Sequence, residues 1–158
     1  MGGTANAMGG YALEDLAIGT SERFSKTVTE ADIVLFAGIS GDTNPVHLDA
    51  DFAATTRFGE RIAHGMLSAA FISAVLGARM PGPGSVYLKQ SLEFRAPVKI
   101  GDTVVAEARV SAIDAARARV TLETTCRVGE TVVVRGEALV MVPRRPPADT
   151  PAGTSAAT

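Results

Sequence analysis

The chain has 158 residues, a formal net charge of −2 and a single cysteine. That length suits one domain with a buried core, and the charge gives no electrostatic case for nucleic acid or an anionic membrane. Cys126 alone excludes an intrachain disulfide framework and a cysteine metal cluster. No apolar run reaches the length of a membrane span, and the start lacks the basic-then-apolar order of a secretory signal. Together these readings fit a protein of the reducing cytoplasm.

Residues 1–10 are rich in Gly and Ala, which predicts a disordered tail. A short first strand is expected over 20–28. Thr29 followed by Asp32 makes a capping pattern, and Ile33, Phe36 and Ala37 recur at helical spacing. That helix should stop near Gly38 to Gly41. A polar stretch follows, then a short helix over 49–56 for which Asp49 is the N-cap candidate. Residues 57–60 read as loop.

Residues 62–80 form the central helix candidate, with Met66, Ala70, Phe71, Ala74 and Val75 marking its apolar face. Gly65, Ser68, Ala69, Ser73 and Gly77 make it rich in small side chains, which lets another backbone come close. Pro81-Gly82-Pro83-Gly84 stops it. Four strands follow, over 85–95, 103–110, 118–128 and 131–142. Each alternates apolar with polar residues, the mark of antiparallel strands with one buried face. Val86, Leu88, Leu92 and Phe94 share the apolar face of the first, and Cys126 falls in the apolar register of the third. From Pro143 onward the periodicity is gone, which predicts a second disordered tail over 144–158. The fold class is α+β: a long helix laid across the concave face of an antiparallel sheet, in one domain over 11–143.

The segment that carries chemistry is Ser40-Gly41-Asp42-Thr43-Asn44-Pro45-Val46-His47-Leu48-Asp49. Pro45 fixes its own φ and biases Asn44 away from the α region, so the preceding helix cannot continue through it. A carboxylate, an amide and an imidazole are thereby gathered on a kinked, non-helical segment between apolar runs. The plain alternative is an Asx turn closed by Asp42 or Asn44, with His47 merely exposed.

This segment resembles the signature of the MaoC-like, (R)-specific enoyl-CoA hydratases. Arg61-Ile62-Ala63-His64-Gly65-Met66-Leu67 resembles the family's approach to its central helix, and Ser85-Val86-Tyr87-Leu88 resembles the start of its first long strand. The resemblance implies a hot-dog fold. It implies reversible syn addition of water to a trans-2-enoyl-CoA, giving an (R)-3-hydroxyacyl-CoA, in fatty acid or polyhydroxyalkanoate metabolism. A 3-hydroxyacyl-ACP dehydratase or a hot-dog acyl-CoA thioesterase is the alternative. Partners would be the acyl-CoA thioester, water and a second copy of the chain, as a homodimer or higher oligomer. No cofactor is required and no metal ligand pattern is evident.

Such a reaction needs a water delivered to C3 and a proton to C2, work for a carboxylate and an imidazole sharing that water. Asp42 and His47 are the candidate pair. Asn44 would orient the loop or the water. The Gly65 N–H, at the mouth of the central helix, would hold the thioester oxygen. Ser73, two turns on, matches a serine lining the family's pocket. A serine bonding back to its own helix is the other reading. His64 reads as a packing residue at the helix start. Arg57 and Arg61 are candidates for CoA phosphates, with plain surface solvation the alternative.

Overall fold

A computed structural model describes residues 6–146. The elements in chain order are β1 (Ser21–Thr27), α1 (Glu30–Ser40), α2 (Pro45–Leu48), α3 (Ala50–Ala54), α4 (Gly65–Ala78), β2 (Val86–Phe94), β3 (Thr103–Asp114), β4 (Arg119–Val128) and β5 (Thr131–Met141). The strands form one antiparallel sheet in the order β1-β3-β4-β5-β2. The α4 helix packs on one face of this sheet, against β3, β1 and β4. This is the expected α+β architecture. No helix among the described residues is long and apolar enough to cross a membrane.

The sheet's period of two explains which side chains fill the core. Val104, Ala106, Ala108 and Val110 of β3 are buried, as are Val120, Leu122, Thr124 and Cys126 of β4. They meet Leu67, Phe71, Ile72, Val75 and Leu76 of α4. The buried face of α4 is therefore rotated from the expected one. Phe71 and Val75 face the sheet, but Met66 is 53% exposed and Ala70 lies on the open side. The sequence offers apolar residues almost all round this helix, so its periodicity does not single out the buried side.

The apolar face expected for the first long strand is a second departure. In β2, Val86, Leu88 and Phe94 are exposed, because β2 is an edge strand that pairs only with β5. A bulge between Tyr87 and Lys89 also breaks its alternation. A further bulge leaves Val133 of β5 without a partner in β4, yet buried. Its carbonyl instead accepts the Arg95 N–H at 2.9 Å.

The two expected tails are partly folded. Asn6 is buried, donates through Nδ2 to the carbonyls of Tyr11 (3.0 Å) and Pro83 (2.9 Å), and accepts the Met8 N–H through Oδ1 (2.8 Å). One amide side chain thus satisfies several backbone groups and fixes residues 6–10. At the other end, Glu14 accepts the Arg145 N–H at 2.9 Å, and Arg145 also pairs with Asp15. These contacts extend the packed chain beyond 11–143. The rest of the expected tails, 1–5 and 147–158, lies outside the described residues.

Candidate active site

Helix α1 delivers the chain to the site. Its start is held by Thr29, whose N–H donates to Asp32 Oδ2 at 2.8 Å while its hydroxyl accepts the Asp32 N–H. Burial alone would raise the Asp32 carboxyl, but the Thr29 hydrogen bonds and the Lys26 ammonium hold it below its ordinary value. The helix ends at Gly41, whose φ of 75° is a left-handed turn that a glycine adopts without strain. Asp42 then accepts the Asn44 N–H at 3.2 Å, and Asn44 accepts the Val46 N–H at 3.2 Å. The Asx-turn reading therefore holds for the backbone. The segment is not entirely non-helical: with Asn44 as N-cap and Pro45 at the first position, it opens the single turn α2, which carries His47.

That turn aims His47 inward, where it is 8% exposed. Its Nδ1 lies 2.8 Å from the Ile62 carbonyl. A carbonyl can only accept, so Nδ1 carries the hydrogen, and the tautomer this selects leaves its lone pair on Nε2. Nε2 lies 4.0 Å from Asp42 Oδ2. This is too far for a direct hydrogen bond, but one water at about 2.8 Å from each atom fits between them. The Asp42 side chain is 52% exposed and thus open to solvent.

His64 completes the floor. Its Nε2 lies 2.9 Å from the Asp42 carbonyl, so it donates there. Its ring lies against His47 with centroids 3.9 Å apart and meets Phe36 at a 53° tilt with centroids 5.0 Å apart. Its Nδ1 is buried without a partner. Ligand atoms of Asp42, His47 and His64 lie within 4.8 Å of one another, a spacing that a metal ion can bridge. One nitrogen of each ring is already engaged, however, and the remaining nitrogen of His64 is walled in. The trio as built turns only Asp42 and His47 Nε2 toward open space.

That space is a cavity of about 330 Å³, lined by Asp42, His47, His64, Gly65, Ser68 and Phe94 among others. Gly65 is the first residue of α4, so its N–H has no place in the helical ladder. A Cβ on Gly65 would come within 2.7 Å of the Phe94 ring. Of the expected site residues, the fold brings Asp42, His47 and Gly65 to one cavity. Asn44 stays outside it and braces the turn. Ser73 is exposed and lines a separate groove of about 520 Å³ with Phe36, Ala70 and Tyr87; Met66 lines both spaces. The sequence reading overlooked Ser68, which lines the first cavity one turn beyond Gly65. The only signal for it was that i, i+3 spacing.

The sequence profile described as "MaoC like domain" matches residues 15–133. The chain belongs to the MaoC-like family. A MaoC-like relative from Rhodospirillum rubrum, named (R)-specific enoyl-CoA hydratase, is 58% identical over 135 residues, covering 85% of this chain and 94% of its own. The 3-hydroxybutyryl-CoA dehydratase of Methylorubrum extorquens is 53% identical over 86% of this chain and 87% of its own. Among solved structures, an unliganded R-hydratase from Pseudomonas aeruginosa superposes with a TM-score of 0.82 at 42% identity, over 90% of this chain and 95% of that one. The sheet and helix of this MaoC-like chain are those of the hot-dog fold.

Proposed function

We propose that this chain is an (R)-specific enoyl-CoA hydratase, acting on trans-2-enoyl-CoA esters and, in reverse, dehydrating (R)-3-hydroxyacyl-CoA. One observation carries the reading. The free Nε2 of His47 and the Asp42 carboxyl group stand 4.0 Å apart on one cavity, beside the unpaired N–H that opens α4.

The Gly65 N–H receives the thioester oxygen, where negative charge grows as water adds. A water held between Asp42 and His47 is then aimed at C3. His47 enters with a bare Nε2 and takes a proton from the water as its oxygen bonds to C3. A proton passes from the pair to C2, which adds the elements of water to one face of the double bond. The two groups work as a coupled unit. Asn44 acts indirectly by holding the turn under both. The acyl tail runs past Met66 into the groove that holds Ser73.

A second copy of the chain belongs to the assembly. The free edge of β2 carries exposed Val86, Tyr87 and Leu88, and α1 exposes Val34, Leu35 and Ile39. Antiparallel pairing of two such edges would bury them in a homodimer. A cytoplasmic location suits this substrate.

The test is crotonyl-CoA hydration, followed by loss of the enoyl-thioester absorbance with chiral analysis of the product. The expected product is the (R)-3-hydroxy ester. Asp42→Asn and His47→Ala should each lower kcat at least about a hundredfold with the fold intact. Release of free thiol in place of hydration would sink the reading in favour of a thioesterase.

A further inference from the structure

We infer that Arg57, together with Arg95, binds the phosphates of the 3′-phospho-ADP portion of the carrier, so that the cavity rim selects CoA esters. This rests on the hydratase reading above and adds the carrier-binding residues to it. Both side chains are exposed and line the cavity that holds Asp42, His47 and Gly65. At about 330 Å³ the cavity accommodates the thioester end of a substrate, not the whole carrier. The nucleotide must therefore lie at or beyond the rim.

The cations near that rim differ in their commitments. Arg61 is occupied: it pairs with Glu30 and donates to the Leu48 carbonyl at 3.3 Å. Lys99 is paired with Glu60. Arg57 has no carboxylate partner among the described residues, and its guanidinium rests over the Phe58 ring, 4.9 Å from the centroid. An aromatic face holds a guanidinium in place while leaving its N–H fork free for an anion. Arg95 pairs with Glu93, but the two side chains are 55% and 64% exposed. Such a solvated pair is readily exchanged for a phosphate. In a chain of net charge −2, a polyanionic substrate gains from local positive charge at the cavity mouth.

The experiment compares crotonyl-CoA, crotonyl-4′-phosphopantetheine and crotonyl-pantetheine as substrates. It also measures the Kd of free CoA by calorimetry, for the wild type, Arg57→Gln, Arg95→Gln and Arg79→Gln. Arg79 lies over Phe24, away from the cavity, and serves as the control. Arg57→Gln should cut the preference for crotonyl-CoA over both shorter esters about tenfold, through KM, and weaken CoA binding about tenfold. Arg95→Gln should act in the same direction, and Arg79→Gln should keep the preference. The inference is overturned if Arg57→Gln leaves CoA affinity unchanged, or if all three esters lose equally. A wild type that binds CoA through Arg57 but hydrates no ester would overturn the hydratase reading alone.

Discussion

Substituting Gly65 by alanine probes the proposed oxyanion contact directly. The new Cβ would sit 2.7 Å from both Cδ1 and Cε1 of Phe94. Carbon atoms prefer about 3.5–4.0 Å, so the ring or the helix start must yield by roughly 1 Å. Phe94 is 53% exposed and its backbone is paired with Val134 of β5, so the ring turns while the strand stays. Either way the methyl intrudes where, in the proposed mechanism, the thioester oxygen would approach the Gly65 N–H. A misplacement of that size costs about a hundredfold in rate, the order also expected when one oxyanion donor is lost. Stability should move the other way. Gly65 is not in the left-handed region, and alanine in a helix is favoured over glycine by about 0.5–1 kcal/mol. The assay is steady-state crotonyl-CoA hydration beside thermal unfolding. The expected result is a kcat about a hundredfold lower, with Tm at or slightly above that of the wild type. Pairing Gly65→Ala with Phe94→Ala should recover part of the loss by restoring space. A Gly65→Ala enzyme with kcat within about threefold of wild type would refute the reasoning.

His64→Phe keeps the stack on His47 and removes the donor to the Asp42 carbonyl. It should cost about 1–3 kcal/mol of stability in denaturant unfolding, together with a fall in kcat as the Asp42 turn loosens. Asp32→Ala removes the carboxylate half of the capping pattern at the start of α1, leaving the backbone N–H on the Thr29 hydroxyl, and should cost about 1 kcal/mol. Because the Asp32 carboxyl sits below its ordinary value in the folded chain, its contribution is present above the unfolded value of 3.8 and lost as pH falls below it. The Cys126 thiol, whose Sγ–H donates to the Ser68 carbonyl, is pushed up to about 12 by burial. The folded protein should therefore resist iodoacetamide at pH 8 and react on unfolding. Between the unfolded value of 9.0 and about 12 the unfolded chain loses this proton first, so stability should decline with rising pH over that window. Rapid alkylation of the native protein would contradict the placement of this thiol.

The residue order alone marked most of the elements and the candidate site. Thr29 with Asp32 marked the start of α1, the stretch from Gly38 to Gly41 its end, and Asp49 the cap of α3, because capping is a local exchange of hydrogen bonds. Alternation in β3 and β4 gave their buried faces for the same local reason. The carboxylate and imidazole that meet over the cavity were legible because they lie close together in one turn-forming segment. Tertiary structure alone decided the rest. Whether β2 is covered depends on its place at the sheet edge, which alternation does not encode. Which side of α4 is buried depended on the sheet it meets, since nearly every side of it is apolar. The tautomer of His47 is set by the carbonyl of Ile62, and the Asp42 turn is held by His64, partners distant in sequence. Ser73 and Ser68 are equally plausible on the helix read by itself. The fold turned Ser68 to the cavity that holds Asp42 and His47, and Ser73 to the outer groove, because a side chain's surroundings are fixed by what packs against its helix.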